Sequence, residues 1–341
     1  MTEPEPAGEE AGLPKPLLVT SEDFAELQPE WRALHAAIPG ATPFTHPDWH
    51  ATWLRHFGAD SLPVYLSFRR GEELAGVAAL DLDRDIARTL GDPNVRDYGG
   101  PLALPGEESR VASALFEWLR EDLTPNLELW GVPAGTAMHA ALLSSGPDEG
   151  YAPSESPEAN CPATALPGDW EAYLASLTKH DRHELRRKLR HLEAAGEVRY
   201  ELLAGGEVAA NIDELLRLMR VSHHHKDEFL TPVMEAFFRD LAAAFGANGL
   251  ARLGRLTLDG RTAAMLFSFE NEETVFLYNS GYEPDLSHLA VGLLSKALAI
   301  RDAIARGKRR FDFLRGDEDY KRHLGGEPAP VVTLRFAAPR P

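Results

Sequence analysis

The residues best suited to chemistry lie near the C-terminus, in FDFLRGDEDYKRHLG, Phe311–Gly325. Phe311 and Phe313 fall on one side of a strand pattern and Asp312 on the other, and the strand breaks at Arg315-Gly316 into a polar turn. A short helical run follows with Asp317, Glu318, Asp319, Tyr320 and Lys321, so carboxylates, a phenol and an ammonium share one loop-to-helix step. The Lys321 ammonium is a compact charge with rotatable donors, suited to an oxyanion, and the Tyr320 phenol can give a proton to a leaving group. Helical neighbours diverge by about 100°, so the two serve one site only at the helix start. The competing reading packs Tyr320 beneath the helix and pairs Lys321 with Asp317 or Asp312.

Three further groups carry chemistry. TKHDRHELRRKLRHLEAAG, from Thr178, is a basic helix in an acidic chain, and Arg182, Arg186 and Arg190 at i, i+4 and i+8 share a face that could hold a polyanion. Its alternative is a solvated helix with Asp181 and Glu184 as partners. In Ser222-His223-His224-His225-Lys226-Asp227 adjacent residues point in different directions, and there is neither an HExxH nor a cysteine pair, so no metal site is expected. His224 could instead line an acceptor cleft and take a proton from an amine. In Arg96-Asp97-Tyr98-Gly99-Gly100, Tyr98 either faces a cleft between domains or is buried in a turn. Tyr278 joins the acceptor-side candidates.

These residues need a scaffold of two domains, which 341 residues with 44% hydrophobic content can supply. The net charge of −18 argues against broad binding to nucleic acid or an anionic membrane. The single cysteine, Cys161, permits no internal disulfide, and the acidic residues 1–14 read as a disordered leader rather than a signal peptide. With no apolar run near the ~20 residues of a membrane span, the expectation is a cytoplasmic protein.

Periodicity gives a strand at Leu17–Thr20, then a helix with Ser21 as N-cap. A helix from Pro47 follows, whose Trp49, Trp53 and Phe57 share a face that is read as core. A hairpin at Val64–Leu80, a strand at Ile86–Leu90, a helix around Leu115, a strand at Leu127–Trp130 and a helix at Ala137–Leu143 complete a first domain over 15–145. Proline and glycine recur through Ser144–Asp169, so 146–168 is expected to be a linker or crossover. The second domain, 169–341, repeats the order: helices, a strand at Val198–Leu203, two apolar helical stripes, a meander over Leu253–Tyr278, a helix from Ala290 to Arg306, and the strand at Phe311. The Ala290 helix begins directly after a strand, which offers unpaired N–H groups to a phosphate or carboxylate.

The Phe311–Gly325 run resembles the closing motif of the CelD/BcsL-type acetyltransferases, relatives of the FemABX peptidyltransferases. The resemblance implies an α/β fold of two tandem GNAT-like domains, each a mostly antiparallel twisted sheet flanked by helices. It also implies an enzyme that transfers an acyl group from acetyl-CoA or another acyl-CoA to an amine on a small or cell-envelope-related acceptor, with no tightly bound cofactor. The loop-to-helix step then cradles the donor pyrophosphate through Ser287, His288, Val291 and Gly292, with Arg315 nearby. Lys321 would stabilise the oxyanion, Tyr320 would protonate the leaving group, and Asp317 would complete the catalytic set. The basic segment with Arg182, Arg186 and Arg190 also has a counterpart in the family. The alternatives are aminoacyl transfer from charged tRNA and a catalytically silent binding protein with the same fold.

Overall fold

In the computed structural model, residues 16–121, 126–222 and 224–338 are described; the leader expected over 1–14 lies outside them. The first unit begins with β1 (Leu18–Glu22), α1 (Phe24–Ala37), α2 (Pro47–Phe57), β2 (Pro63–Arg70), β3 (Glu73–Asp83) and β4 (Ile86–Thr89). It continues with β5 (Leu102–Ala103), α3 (Glu108–Glu121), β6 (Asn126–Pro133), α4 (Ala137–Asp148) and β7 (Ala152–Asn160). The second holds β8 (Ala163–Ala165), α5 (Trp170–Ser176), α6 (Lys179–Glu193), β9 (Val198–Ala204), α7 (Gly206–Ser222), α8 (His224–Phe229) and α9 (Pro232–Ala247). It closes with β10 (Ala251–Leu258), β11 (Arg261–Glu270), β12 (Thr274–Tyr282), α10 (Val291–Ala305), β13 (Arg310–Asp312), α11 (Asp319–His323) and β14 (Pro330–Ala337).

Six strands of the eight-stranded first sheet repeat the order of the six-stranded second. The first runs β1-β2-β3-β4-β6-β14-β7 and the second β8-β13-β12-β11-β10-β9. In each, a strand is followed by helices, an antiparallel meander, one more helix and then a strand parallel to the last of the meander. That parallel pair is β4 with β6 across α3, and β12 with β13 across α10. A parallel pair needs a crossover, and an amphipathic helix is the usual one. The fold is therefore α/β with two GNAT-like domains in tandem.

Three local expectations change. Ser21 is not the cap of α1: β1 stays paired with β2 through Glu22, and the Asp23 carboxylate takes the amides of Ala25 (2.8 Å) and Glu26 (3.4 Å). The segment 146–168, expected to be a linker or crossover, carries strands. β7 lies at the edge of the first sheet, and β8 at the edge of the second, where it pairs with β13. Pro153 and Pro157 are tolerated in β7 because an edge strand is paired on one side only. Finally, β14, for which periodicity gave no strand, leaves the second unit and lies between β6 and β7 in the first sheet. The chain thus crosses between the sheets twice.

An aromatic core joins the units. Trp49 and Trp53 on α2 are buried as expected, and Trp49 meets Phe237, Phe245, Phe269 and Tyr278 of the second unit edge-on at 5.5–6.3 Å between ring centroids. Burial of such large rings dominates interface energetics. Beside it, Asp240 on α9 accepts from Arg55 (2.6 Å) and His56 (2.9 Å) of α2. Among the described residues no helix is long and apolar enough to cross a membrane.

Candidate active site

The site arises where β12 and β13 part. They pair only from Thr274 with Arg310 to Phe276 with Asp312. β12 continues to Tyr282 while the chain after Asp312 turns away, so the edge of β12 beyond Phe276 has no strand beside it. A cavity of about 600 Å³ opens in the split. Leu277, Tyr278, Asn279, Ser280 and Tyr282 line it from β12, and Phe313, Leu314 and Arg315 from the departing chain. Tyr278 is also bulged: Phe267 of β11 faces Asn279 and Ser268 faces Leu277, which leaves Tyr278 opposite no residue. A bulge disrupts the ladder and re-aims backbone groups.

At one end of the cavity α10 begins. Its N-cap, Ala290, has φ +56° and no side chain caps the helix, so the first amides and the positive end of the dipole face the space lined by Ser287, Ala290 and Gly292. Gly292 lies so close to Tyr282 that an added Cβ would stand 3.0 Å from its ring. One turn on, buried Lys296 donates to the Gly292 carbonyl (2.8 Å), and its ammonium lies 4.9 Å from the centre of the Tyr320 ring. Burial raises the Tyr320 phenol pKa above its ordinary value, so it stays protonated at neutral pH.

The first unit reaches the cavity through Asp97. Burial pushes its carboxyl up to about 6 against the opposing pull of Arg315. Arg315 Nε lies 3.5 Å from Asp97 Oδ1, while its Nη2 bonds Glu158 on β7. Glu158 is fixed in turn by the Gly131 amide (2.7 Å) and the Thr333 hydroxyl (2.9 Å). Beneath, Tyr98 donates to Asp312 (2.9 Å), and Tyr278 to the carbonyl of Val95 (3.0 Å).

Of the residues singled out from sequence, Tyr278, Ser287, Gly292, Arg315, Tyr320 and Lys321 converge on this cavity. Others do not. Asp317 is exposed and accepts only a long bond from Asn160 (3.4 Å). His288 is exposed and turns back to the Asp285 carbonyl (3.0 Å). The Val291 side chain is buried in the core, so only its backbone belongs to the helix start. Tyr98 is buried between the units, as the turn reading allowed. Arg182 caps the end of α5 through the carbonyls of Leu174, Ala175 and Leu177, and Arg186 pairs with Glu171 (2.5 Å). With Arg190 they line a separate open basic cleft that also includes Lys179, His180 and His183. The side chain of His224 lies outside the described residues, as does His223.

Lys321 is the largest change. Its side chain is 2% exposed, and its ammonium faces the carbonyls of Leu314 (2.8 Å), Arg315 (2.7 Å) and Gly316 (3.2 Å) and the Glu318 carboxylate (3.0 Å). Neither Asp317 nor Asp312 is its partner. Sequence reading named Asp97 only as the neighbour of Tyr98 in the 96–100 segment, because it joins the site from the other unit, and missed Lys296, which reads as a helix surface residue. Among the described residues no group of three or more His, Cys, Asp or Glu is placed to hold a metal ion.

Residues 179–322, less than half the chain, match a family model described as an acetyltransferase (GNAT) domain. A search of curated proteins by sequence finds no match. Among solved structures, FemX is similar at 12% identity and TM-score 0.66, covering 93% of this chain and 96% of that one. A conserved protein of unknown function from Bacteroides thetaiotaomicron is similar at 13% identity and TM-score 0.60, covering 94% and 99%. So is the C-terminal DUF2156 domain of a lysylphosphatidylglycerol synthetase candidate from Agrobacterium fabrum, at 12% identity and TM-score 0.58, covering 92% of each. Likeness at this identity concerns the fold alone.

Proposed function

We propose, from the match of residues 179–322 to the acetyltransferase (GNAT) domain model, that the chain is an N-acyltransferase that moves an acyl group from an acyl-CoA to an amine held between the two units. The observation that carries this reading is the split between β12 and β13, lined by an uncapped helix start and by the Asp97 carboxylate. The open edge of β12 suits an extended donor arm whose amides can pair with a strand edge. Its pyrophosphate would meet the first amides of α10, with Ser287, Gly292 and the Lys296 ammonium close by. The thioester then lies in the split.

At neutral pH most of Asp97 is ionised, because its pKa stands at about 6. It takes a proton from the incoming ammonium, and the freed amine nitrogen attacks the thioester carbon. Negative charge collects on the carbonyl oxygen, for which the re-aimed backbone at bulged Tyr278 is the donor we assign. The C–S bond breaks as the tetrahedral intermediate collapses; Tyr320 gives its proton to the thiolate and takes back the second proton that the nitrogen sheds as the amide forms, and Asp97 returns the first to solvent.

Aminoacyl transfer from tRNA is the second reading. The FemX-like fold and the basic cleft on α6 favour it, whereas Arg182 and Arg186 are already engaged by the protein and the charge of −18 opposes it. A thermal-shift comparison of acetyl-CoA, longer acyl-CoAs and aminoacyl-tRNA tests the donor. Saturating acyl-CoA should add ~2–4 kcal/mol of apparent stability. Stabilisation by aminoacyl-tRNA alone would replace the acyl-CoA reading.

A further inference from the structure

We infer that Lys321 is a positioning residue: its ammonium builds the 314–316 turn that sets Arg315 beside Asp97, and so places the acceptor-side carboxylate at the cavity. This rests on the reading of Asp97 as the proton acceptor. An ammonium has three protons, and those of Lys321 face three carbonyls and a carboxylate within 3.2 Å. None is left over for an oxyanion.

The turn needs such a core. Leu314 has φ +56°, a left-handed conformation that costs a leucine roughly 1–2 kcal/mol. Gly316 has φ +124°, and an added Cβ would stand 3.0 Å from Lys321 Nζ. Three carbonyl oxygens converging on one point would repel one another without the cation between them.

In a trans peptide the N–H points away from the C=O, so the turn's amides face outward. The Arg315 amide reaches Asp97 Oδ2 (3.4 Å), and the Gly316 amide donates to Asn160 (3.1 Å). Lys321 thereby fixes the Arg315 backbone on Asp97 and sets the start of its side chain, whose Nε lies 3.5 Å from Asp97 Oδ1 without a hydrogen bond while its Nη2 holds Glu158. The charged and titratable groups around that carboxylate are Arg315 and Lys321 from the turn and α11, Asp312 from β13, Cys161 from the β7–β8 connection, Tyr278 from β12 and Glu158 from β7. Arg315 and Lys321 favour the ionised form, and Asp312 opposes it.

The test follows Asp97 directly by carboxyl 13C NMR titration of the full chain labelled at aspartate, its resonance assigned by loss in Asp97→Asn. The wild-type midpoint is expected near 6. In Lys321→Met, the loss of the cation and of the turn it holds should move the midpoint upward, with about a tenfold loss in the ionisation constant for each unit. Arg315→Gln should move it the same way while Lys321 stays in place, which keeps the test decisive if Lys321→Met does not fold. An unmoved midpoint in either folded variant would overturn the assignment. If the midpoint moves but Asp97→Asn transfers acyl groups at the wild-type rate, the positioning role stands and the proton-acceptor reading falls.

Discussion

The hydroxyl of Tyr98, in the first unit, donates a 2.9 Å hydrogen bond to the carboxylate of Asp312, at the last residue of β13 in the second. Both groups are buried, and Asp312 also accepts from the Leu314 amide (2.8 Å) at the start of the turn that Lys321 holds. The interface between the units and the 314–316 turn therefore share one carboxylate.

Tyr98→Phe removes a donor from buried Asp312 without altering shape. Leaving a buried acceptor short of a partner costs about 1–3 kcal/mol. Chemical denaturation should show that loss, and the Asp312 pKa, already raised by burial, should rise further.

Asp97→Asn should lower acyl-transfer turnover by ~10²–10⁴, the usual worth of a positioned base. In the wild type, kcat/KM should fall with decreasing pH through about 6, as Asp97 takes up a proton, and the variant should lack that limb. The sign for stability is the reverse. A carboxyl whose folded pKa is raised favours folding less as pH climbs from its unfolded value near 4 to its folded value. The stability of Asp97→Asn relative to wild type should therefore improve between pH 4 and 7, as read from melting temperatures across that range.

Gly292→Val places a branched side chain at the mouth of α10 against Tyr282. Blocking the helix start should raise the KM for acyl-CoA about tenfold or more, equivalent to ~1.4 kcal/mol of binding. Isothermal titration with acetyl-CoA checks it, and circular dichroism checks that the helix is intact.

Phe336→Ala tests the exchanged strand. Phe336 on β14 is buried against Phe116 of α3, with ring centroids 4.8 Å apart. The truncation should cost about 3–5 kcal/mol. Hydrogen exchange should speed up in β6 and β7 of the first sheet before it does in β10–β12, although residue 336 follows the whole second unit in sequence.

Arg186→Ala, on the basic cleft, removes an exposed pair with Glu171 and should change stability by less than ~1 kcal/mol. If the cleft receives a polyanionic donor, its KM should rise at low ionic strength and the difference should fade above ~0.5 M salt, where screening is short-ranged.

Much of the fold is legible in the chain. The stripe of Trp49, Trp53 and Phe57 fits α2, whose two tryptophans are core, and the meander over residues 251–282 follows its alternation and turn residues. The strands at β7 and β14 were not, for different reasons. β7 has the proline-rich composition of a linker and becomes a strand because it needs hydrogen bonds on one side only. β14 is recruited by a sheet from which most of the chain separates it. The site was legible in half: Tyr320, Lys321, Gly292 and Ser287 stand near each other in a motif and the helix start, whereas Asp97 is brought in from the other unit.

The sequence by itself determined most of the element types, much of the repeat in their order and the presence of an ammonium, a phenol and a helix start near one strand end. These follow from side-chain periodicity and local backbone preference, which act over a few residues. Only the tertiary structure decided what those groups do. Whether Lys321 faces a substrate or three carbonyls depends on the path of the 314–316 turn, and the raised pKa of Asp97 depends on burial by two sheets. Both are sums over neighbours distant in the chain, and no local pattern encodes them.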